Sequence, residues 1–529
     1  MWEKDWRKDA WRELNTPWDI VVIGGGITGA GIFRRAVAEG YRTLLVEAGD
    51  FSSGTSSRSS KLIHGGFRYL RNKQYNVTRE SVREREWLLR EARHLVTPLG
   101  FIMPCPPDRH TAQQFAIGVV LYDLLAPKWQ HYRLSREKIL SICPQLDKPA
   151  LSKGFLYYDA AMDDARVVLR VIQEAVAAGG TALNYARVES LLRTADGRVC
   201  GVALHDFSHS DLGSLEVKAG VVINAAGPCS DEIRAELGAA PRLRKLRGSH
   251  LVFPAARLPL PHAVTLLHPD DRRAMFAIPW EGCTLVGTTD LDHKFSLHAG
   301  EPFTTPAEVE YILRAADATF PSLHLSRADV ISSFSGLRPV VNTGNPDPSK
   351  ESREHVVWEE NGLVSITGGK FTTFRIMAEK ALQTAVQQLS RKVDFSTRKR
   401  YFERLQGLDV VKGLPDEDAS YLLGRYGDET LRLLQAAREG ENEHIAELPN
   451  IWSELRWAAR TGAVEHLDDL LLRRVRLGML LPDGALPEID HIRRIVQPEL
   501  GWEDQHWAAE EVRYRKIYNR FYSPAPTGY

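Results

Sequence analysis

A short apolar run, Trp18-Asp19-Ile20-Val21-Val22-Ile23, leads straight into Gly24-Gly25-Gly26-Ile27-Thr28-Gly29-Ala30-Gly31. Gly24, Gly26 and Gly29 fit Gly-x-Gly-x-x-Gly between a buried strand and a helix. The first glycine permits the tight turn, the second lets a pyrophosphate approach the backbone, and the third lets helix and strand pack closely. The helix should run to about Glu39, with Gly40 just past its end. Thr43-Leu44-Leu45-Val46 then reads as a second strand, closed by Glu47, whose carboxylate can accept hydrogen bonds from ribose hydroxyls. A strand–helix–strand unit of about thirty residues requires a parallel sheet. Unpaired N–H groups at its helix start suit phosphate. The pattern predicts dinucleotide binding; the competing reading is a glycine turn used for packing alone.

At roughly 100–200 residues per domain, 529 residues allow two to four domains. The 68 basic and 68 acidic residues leave no global field for nucleic acid. Cys105, Cys143, Cys200, Cys229 and Cys283 are widely spaced, which argues against a zinc site or a disulfide framework and for free, mostly buried thiols. Met1 to Pro17 is charged and lacks the apolar core of a secretory signal. No apolar run approaches the ~20 residues that span a bilayer; the nearest, Ala116 to Tyr122, stops at Asp123.

Residues 1–17 read as a charged arm with Trp2, Trp6 and Trp11, and residues 49–60 as a Ser/Thr/Gly-rich loop. Helices are expected over Arg79 to Leu95, 111–126, Asp163 to Ala178 and Pro306 to Ala316, with a break from Pro98 to Pro107. Val217 to Ile223 should be a strand feeding Asn224-Ala225-Ala226-Gly227. Short strands dominate from Leu251 to Phe334, as in a mostly antiparallel sheet. Leu363 to Ile366 is a late strand entering Thr367-Gly368-Gly369-Lys370 and a further helix. After about 395 helical periodicity takes over; Leu467, Leu471 and Val475 share one face, with charged residues expected on the others.

Shortly after Glu47 comes Ser53-Gly54-Thr55-Ser56-Ser57-Arg58-Ser59-Ser60-Lys61-Leu62-Ile63-His64-Gly65-Gly66. Its hydroxyls and amides could hold a second phosphate and bring the chain beside an isoalloxazine ring; a flexible Ser-rich linker is the plain alternative. Together with Arg247 to His250, Ile-Pro-Trp followed by Gly-Thr-Thr-Asp, Ser-Gly-Leu-Arg-Pro and Gly-Gly-Lys-Phe-Thr-Thr-Phe-Arg, this stretch closely resembles the FAD-dependent glycerol-3-phosphate dehydrogenases. Order and spacing agree from about residue 18 to 390, and Leu470 to Leu477 resembles the family's C-terminal helical region.

The resemblance implies an α/β fold: a Rossmann-like FAD-binding domain, an antiparallel-sheet substrate domain of the D-amino-acid-oxidase type, and a C-terminal helical domain. The expected division is an arm at 1–17, an FAD-binding domain over 18–395 (about 18–100, 150–245 and 335–395) with the substrate domain interleaved (about 100–150 and 246–334), and a helical domain at 396–529. FAD would be held noncovalently. Gly24, Gly26, Gly29 and Glu47 would bind its ADP half. Thr55, Ser56, Ser60, Leu62 and Gly66 would line pyrophosphate and flavin, Gly227 would touch the cofactor, and Gly369, Lys370 and Thr372 would cap the flavin's pyrimidine end.

The implied reaction is oxidation of sn-glycerol 3-phosphate to dihydroxyacetone phosphate, with hydride passing from C2 to flavin N5 and electrons on to membrane quinone. Arg68, Tyr69, Arg338, Arg353 and Lys370 are the substrate-binding candidates, since phosphate is best held by charge-assisted donors. Arg338 stands out for its apolar, small-residue setting. His64 is the expected general base, on the argument that Gly65-Gly66 leaves room for flavin and that Arg68 lies one helical turn on; His250 is its rival. The family commonly has lysine where Arg247 stands. An oxidase of another hydroxy or amino substrate on the same fold, and a flavin-binding scaffold without turnover, are the alternatives. Oxygen-using relatives tend to carry a long insertion before the helical domain; the short spacing from Arg375 to residue 395 favours a dehydrogenase. Partners would include an anionic lipid surface, met through residues 111–133 or the basic-aromatic stretch 507–522, with a homodimer left open. The expected location is cytoplasmic, peripheral on the inner face of the cytoplasmic membrane.

Overall fold

The computed structural model describes residues 2, 3, 5–66, 75–105, 109–125, 131–147, 151–209, 212–296, 300–346, 351, 354–393, 395, 397–405, 407, 411 and 413–528. Two sheets organise them. In the first, strands Leu363–Gly368, Ser214–Asn224, Trp18–Ile23, Thr43–Val46 and Thr181–Leu183 run parallel in that order, with His355–Glu360 antiparallel at one edge. Their side chains are buried on both faces, which explains the near-continuous apolar runs. Helices Ile27–Ala38, Asp164–Ala177 and Phe374–Ala385 contribute to the same core. The Asp163 carboxylate caps the second of these by accepting the Arg166 N–H at 3.3 Å.

The second sheet runs Leu291–Asp292, Leu243–Pro254, Cys283–Gly287, Ala274–Trp280, Ala263–Leu267, Val96–Pro104, Lys153–Met162 and Leu62–Ile63, with Ser332–Val341 also on Leu243–Pro254 and Tyr132–Ser135 on Lys153–Met162. All its pairings are antiparallel except Ala263–Leu267 with Val96–Pro104. Leu62–Ile63, Lys153–Met162 and the part of Ser332–Val341 from residue 335 on, which the sequence reading places with the nucleotide-binding part, are strands of this sheet. Ladder pairing, rather than neighbourhood along the chain, decides membership.

The break expected at Pro98 to Pro107 is mostly strand. Pro98 sits opposite Ala160 and is exposed, and the other neighbour pairs only at Phe101 and Ile102, so its missing N–H removes no rung on that side. The N-terminal stretch carries a docked helix, Trp6–Glu13. Trp2 and Trp11 are buried, and Arg7 reaches Asp206 at 3.0 Å and Glu465 at 3.1 Å.

The C-terminal region is helical, but the charges flanking Leu467, Leu471 and Val475 are not on outer faces. Asp468, Asp469, Arg473, Arg474 and Arg476 are all buried. Arg473 and Arg474 grip Asp50, and Arg476 grips Asp163 and Asp164, so each charge enters the interior with a counter-charge. The expected lipid-binding stretch 507–522 is also corrected. Trp507, Tyr514, Tyr518, Phe521 and Tyr522 pack in the core, so the aromatic side chains are not available to a membrane, and Val512 is the large apolar side chain this stretch exposes among the described residues. In the other candidate, helix Arg109–Leu125 exposes Ile117 and Leu124. Among the described residues no helix is long and apolar enough to cross a membrane. The five cysteines are unbridged; Cys105, Cys143 and Cys283 are buried.

Candidate active site

The glycine turn is set by backbone sterics. Gly24 has φ 111°, and a Cβ there would stand 2.5 Å from the Ala225 carbonyl oxygen. At Gly29 a Cβ would come within 1.8 Å of the Gly24 carbonyl oxygen, so only glycine lets the helix sit on the strand end. Gly26 faces Ser56, whose hydroxyl accepts the Ile27 N–H at 2.9 Å. Half-buried Glu47 accepts the Gly25 N–H at 2.7 Å and the Gly49 N–H at 2.9 Å. Burial nevertheless raises its carboxyl above the ordinary value, against the pull of those two amides. Across the turn, Gly227 lies at φ 56° with no atom within 4 Å of where a Cβ would stand, an open edge beside the helix start. A helix N-terminus, an uncovered glycine edge and a carboxylate at the next strand end fit the adenosine and phosphate half of FAD.

The loop after Glu47 joins the two sheets. Thr55 donates its hydroxyl to the Leu337 carbonyl at 2.5 Å, next to Arg338 on strand Ser332–Val341. Ser60 Oγ lies 2.9 Å from His250 Nε2 on the neighbouring strand Leu243–Pro254. The buried His250 ring stacks on Phe334 at 4.8 Å and 11°. Burial, with the cations Lys61 and Arg338 nearby, lowers its pKa to about 3, so the imidazole stays neutral. Leu62 is buried, and Gly66 takes φ 83°.

Arg338 is partly exposed and its guanidinium donates to Asp290 at 2.6 Å; Arg273 lies 3.4 Å from the same carboxylate. Asp290 belongs to the Gly-Thr-Thr-Asp stretch that carried part of the resemblance, but its pairing with Arg338 had no local signal, since 48 residues separate them. Arg247 pairs with buried Glu308 at 2.9 Å. Lys370 donates to the Ser81 hydroxyl, and Gly368 and Gly369 precede it at φ 75° and 69°. Thr372 is buried in the turn that follows. Arg68, Tyr69 and Arg353 lie outside the described residues.

His64 is half-buried just beyond strand Leu62–Ile63. The space above Gly65 is not left for a cofactor. A Cβ there would meet Val82 at 2.4 Å and the Tyr122 hydroxyl at 2.5 Å, and the Gly65 N–H is accepted by that hydroxyl at 2.8 Å. Tyr122 in turn donates to Asp159 at 2.5 Å, and Arg85 pairs with Asp159 at 2.6 Å. Gly65, directly after His64, is therefore anchored to a buried cluster. Residues 64–66 are not helical, so the turn meant to align His64 with Arg68 has no support in the described residues.

Residues 19–380 match the family model described as FAD dependent oxidoreductase, and residues 364–507 match the C-terminal domain of alpha-glycerophosphate oxidase. Glycerol-3-phosphate dehydrogenase 2 of Mycobacterium tuberculosis (strain ATCC 25618 / H37Rv) is 36% identical over 94% of this chain and 87% of its own. Aerobic glycerol-3-phosphate dehydrogenase of Staphylococcus epidermidis is 33% identical over 87% of each. The structure of the Bacillus halodurans glycerol-3-phosphate dehydrogenase complexed with FAD aligns over 100% of both chains, with a TM-score of 0.80 and 29% identity. Alignment of this extent, joined to a nucleotide turn and a loop that links it to the second sheet, makes the chain a member of the FAD-dependent glycerol-3-phosphate dehydrogenase family, with FAD as its cofactor.

Proposed function

We propose that the chain oxidises sn-glycerol 3-phosphate to dihydroxyacetone phosphate and passes the electrons to membrane quinone. The observation that carries this reading is the meeting of both sheets at one loop: Ser56 on the nucleotide turn, Ser60 on His250, and Thr55 beside Arg338. When bound, FAD supplies the acceptor for the hydride leaving C2. The chain's own part is to hold phosphate with Arg338, Arg68, Arg353, Tyr69 and Lys370 and to take the hydroxyl proton. We assign the proton to His64. His250, held neutral and weakly basic by burial and two cations, suits a hydrogen-bonding role better. FAD would be held by noncovalent contacts at Gly24, Gly26, Gly29 and Glu47.

Anaerobic sn-glycerol 3-phosphate should bleach the bound flavin, whereas glycine or a simple hydroxy acid should not. A flavin bleached only by the latter, or by none, would overturn the assignment. Quinone lives in lipid, and exposed Ile117 and Leu124 make helix Arg109–Leu125 the better candidate for contact with the inner face of the cytoplasmic membrane. Anionic vesicles carrying a quinone analogue should bind the protein at low salt and accept its electrons faster than oxygen does; failure to float, or faster turnover with oxygen, would count against this part.

A further inference from the structure

One side-chain carboxylate, that of Asp164, organises the loop that meets both sheets. Asp164 is fully buried at the start of helix Asp164–Ala177. It accepts the Ser59 N–H at 3.0 Å, the Ser59 hydroxyl at 2.7 Å and the Lys61 ammonium at 2.9 Å. The Lys61 ammonium also donates to the Ser57 carbonyl at 2.6 Å. Arg476, from the C-terminal helical region, closes the arrangement by pairing with Asp164 and by reaching the Ser57 carbonyl at 3.3 Å. Residues 57, 59 and 61 are thus tied down, and residue 60 between them presents its hydroxyl to His250.

Two features separate this from ordinary packing. Buried ion pairs are weak contributors to stability, because desolvation offsets the attraction, so this one needs another explanation. In addition, Lys61 and Arg476 both sit at positive φ, 59° and 68°, a conformation that persists in such residues where the surroundings over-determine it.

We infer that Asp164, clamped by Arg476, is a positioning residue: it fixes the 57–61 loop so that Ser60 meets His250, making the C-terminal region part of the active-site scaffold. The inference rests on the proposed reaction for its kinetic readout. It would act through the loop residues proposed to line the flavin, since Asp164 itself is fully buried and bonded to Ser59, Lys61 and Arg476.

The test compares Asp164→Leu, Lys61→Met/Asp164→Leu and Ser59→Ala in the FAD-loaded protein. Asp164→Leu leaves Lys61 without its paired carboxylate and Arg476 with Asp163 alone, and should lower the melting temperature. The double variant removes both charges and should recover much of that loss. Flavin reduction by saturating substrate should stay about 10²-fold slow in both, the scale expected of a misplacement near 1 Å. Ser59→Ala keeps every buried charge paired; it should leave melting unchanged, slow reduction several-fold and alter the visible circular dichroism of the bound flavin. Recovery of rate together with stability in the double variant, or a Ser59→Ala protein unchanged in rate and dichroism, would overturn the inference. If Asp164→Leu does not fold, the other two variants decide. A wild-type flavin that glycerol 3-phosphate cannot bleach would refute the proposed reaction instead, and the dichroism of the variants would still report on the loop.

Discussion

The turn at residues 24–29 and the loop at residues 55–61 are built on opposite plans. The turn is held by backbone sterics: glycines 24 and 29 exist because Ala225 and Gly24 carbonyls occupy the space of a Cβ. The loop is held by side-chain charges supplied from far along the chain, Asp164 and Arg476. Local sterics leave a compact sequence signature, whereas an ion clamp scatters its parts over 400 residues and looks, in each place, like ordinary polarity.

The largest effect should come from breaking the first plan. Gly29→Ala places a Cβ 1.8 Å from the Gly24 carbonyl oxygen, and neither backbone can yield without parting helix from strand. Overpacking of this kind costs about 1–3 kcal/mol or more, and it would displace the N–H groups proposed to hold phosphate. The expected outcome is protein purified with little flavin, read as the ratio of 450 nm to 280 nm absorbance. A soluble Gly29→Ala protein with stoichiometric FAD would show that this turn tolerates what the packing says it cannot.

That contrast also sets how much could be read in advance. The parallel core, the mostly antiparallel second sheet and the cofactor turn follow from apolar runs and glycine spacing, both local. Sheet membership of Lys153–Met162 does not, since it depends on pairing with residues 96–104 and 132–135. The burial of Arg473, Arg474 and Arg476 has no local signal, because a charged residue on a periodic helix signals solvent unless its counter-charge, here Asp50 or Asp164, is known to face it. The aromatic stretch 507–522 is ambiguous for a similar reason: its rings sit at helical spacing that suits either lipid or core, and the core cluster decides.

A middle-sized effect should come from the groups that the loop presents. Arg338→Ala should keep FAD bound while reducing kcat/KM by about 30- to several-thousand-fold, the equivalent of roughly 2–5 kcal/mol for a lost charge-assisted contact. Near-normal turnover of glycerol 3-phosphate would remove Arg338 from the phosphate site. Of the histidines, His64→Asn should lose the larger share of flavin-reduction rate, about 10²–10⁴-fold if it is the base. If only His250→Asn loses that rate and its alkaline pH dependence, the proton belongs to His250.

The smallest effect should separate the two regions by pH. Burial raises the Glu47 carboxyl, with the Gly49 and Gly25 amides opposing it. Burial also pushes Asp163 and Asp468 upward, but Arg476 and Arg425 around the first, and Arg473 and Arg513 around the second, hold both well below the usual carboxylate range. For Asp163 and Asp468 the sign is that of a depressed acid: their stabilisation is present above the unfolded value near 4 and is lost as pH falls through the lower folded values. Glu47 has the opposite sign. Its ionised form is disfavoured in the folded chain, so acidification relieves a cost to the apoprotein while removing the charge that should accept the ribose hydroxyls. As pH falls from 7 towards the ordinary carboxylate range, FAD should therefore loosen, by about tenfold for one charge-assisted hydrogen bond reduced to a neutral one, while the Asp163 and Asp468 pairs of the clamp hold; Asp469, which burial and the neighbouring Asp50 raise to about 6, takes up its proton in the same window. Only below that range should the clamp give way. Flavin fluorescence and thermal unfolding followed in parallel would read the two transitions, and Glu47→Gln should show the weaker FAD binding already at pH 7. A single transition in which cofactor release and unfolding coincide at every pH would mean that turn and loop are one cooperative unit.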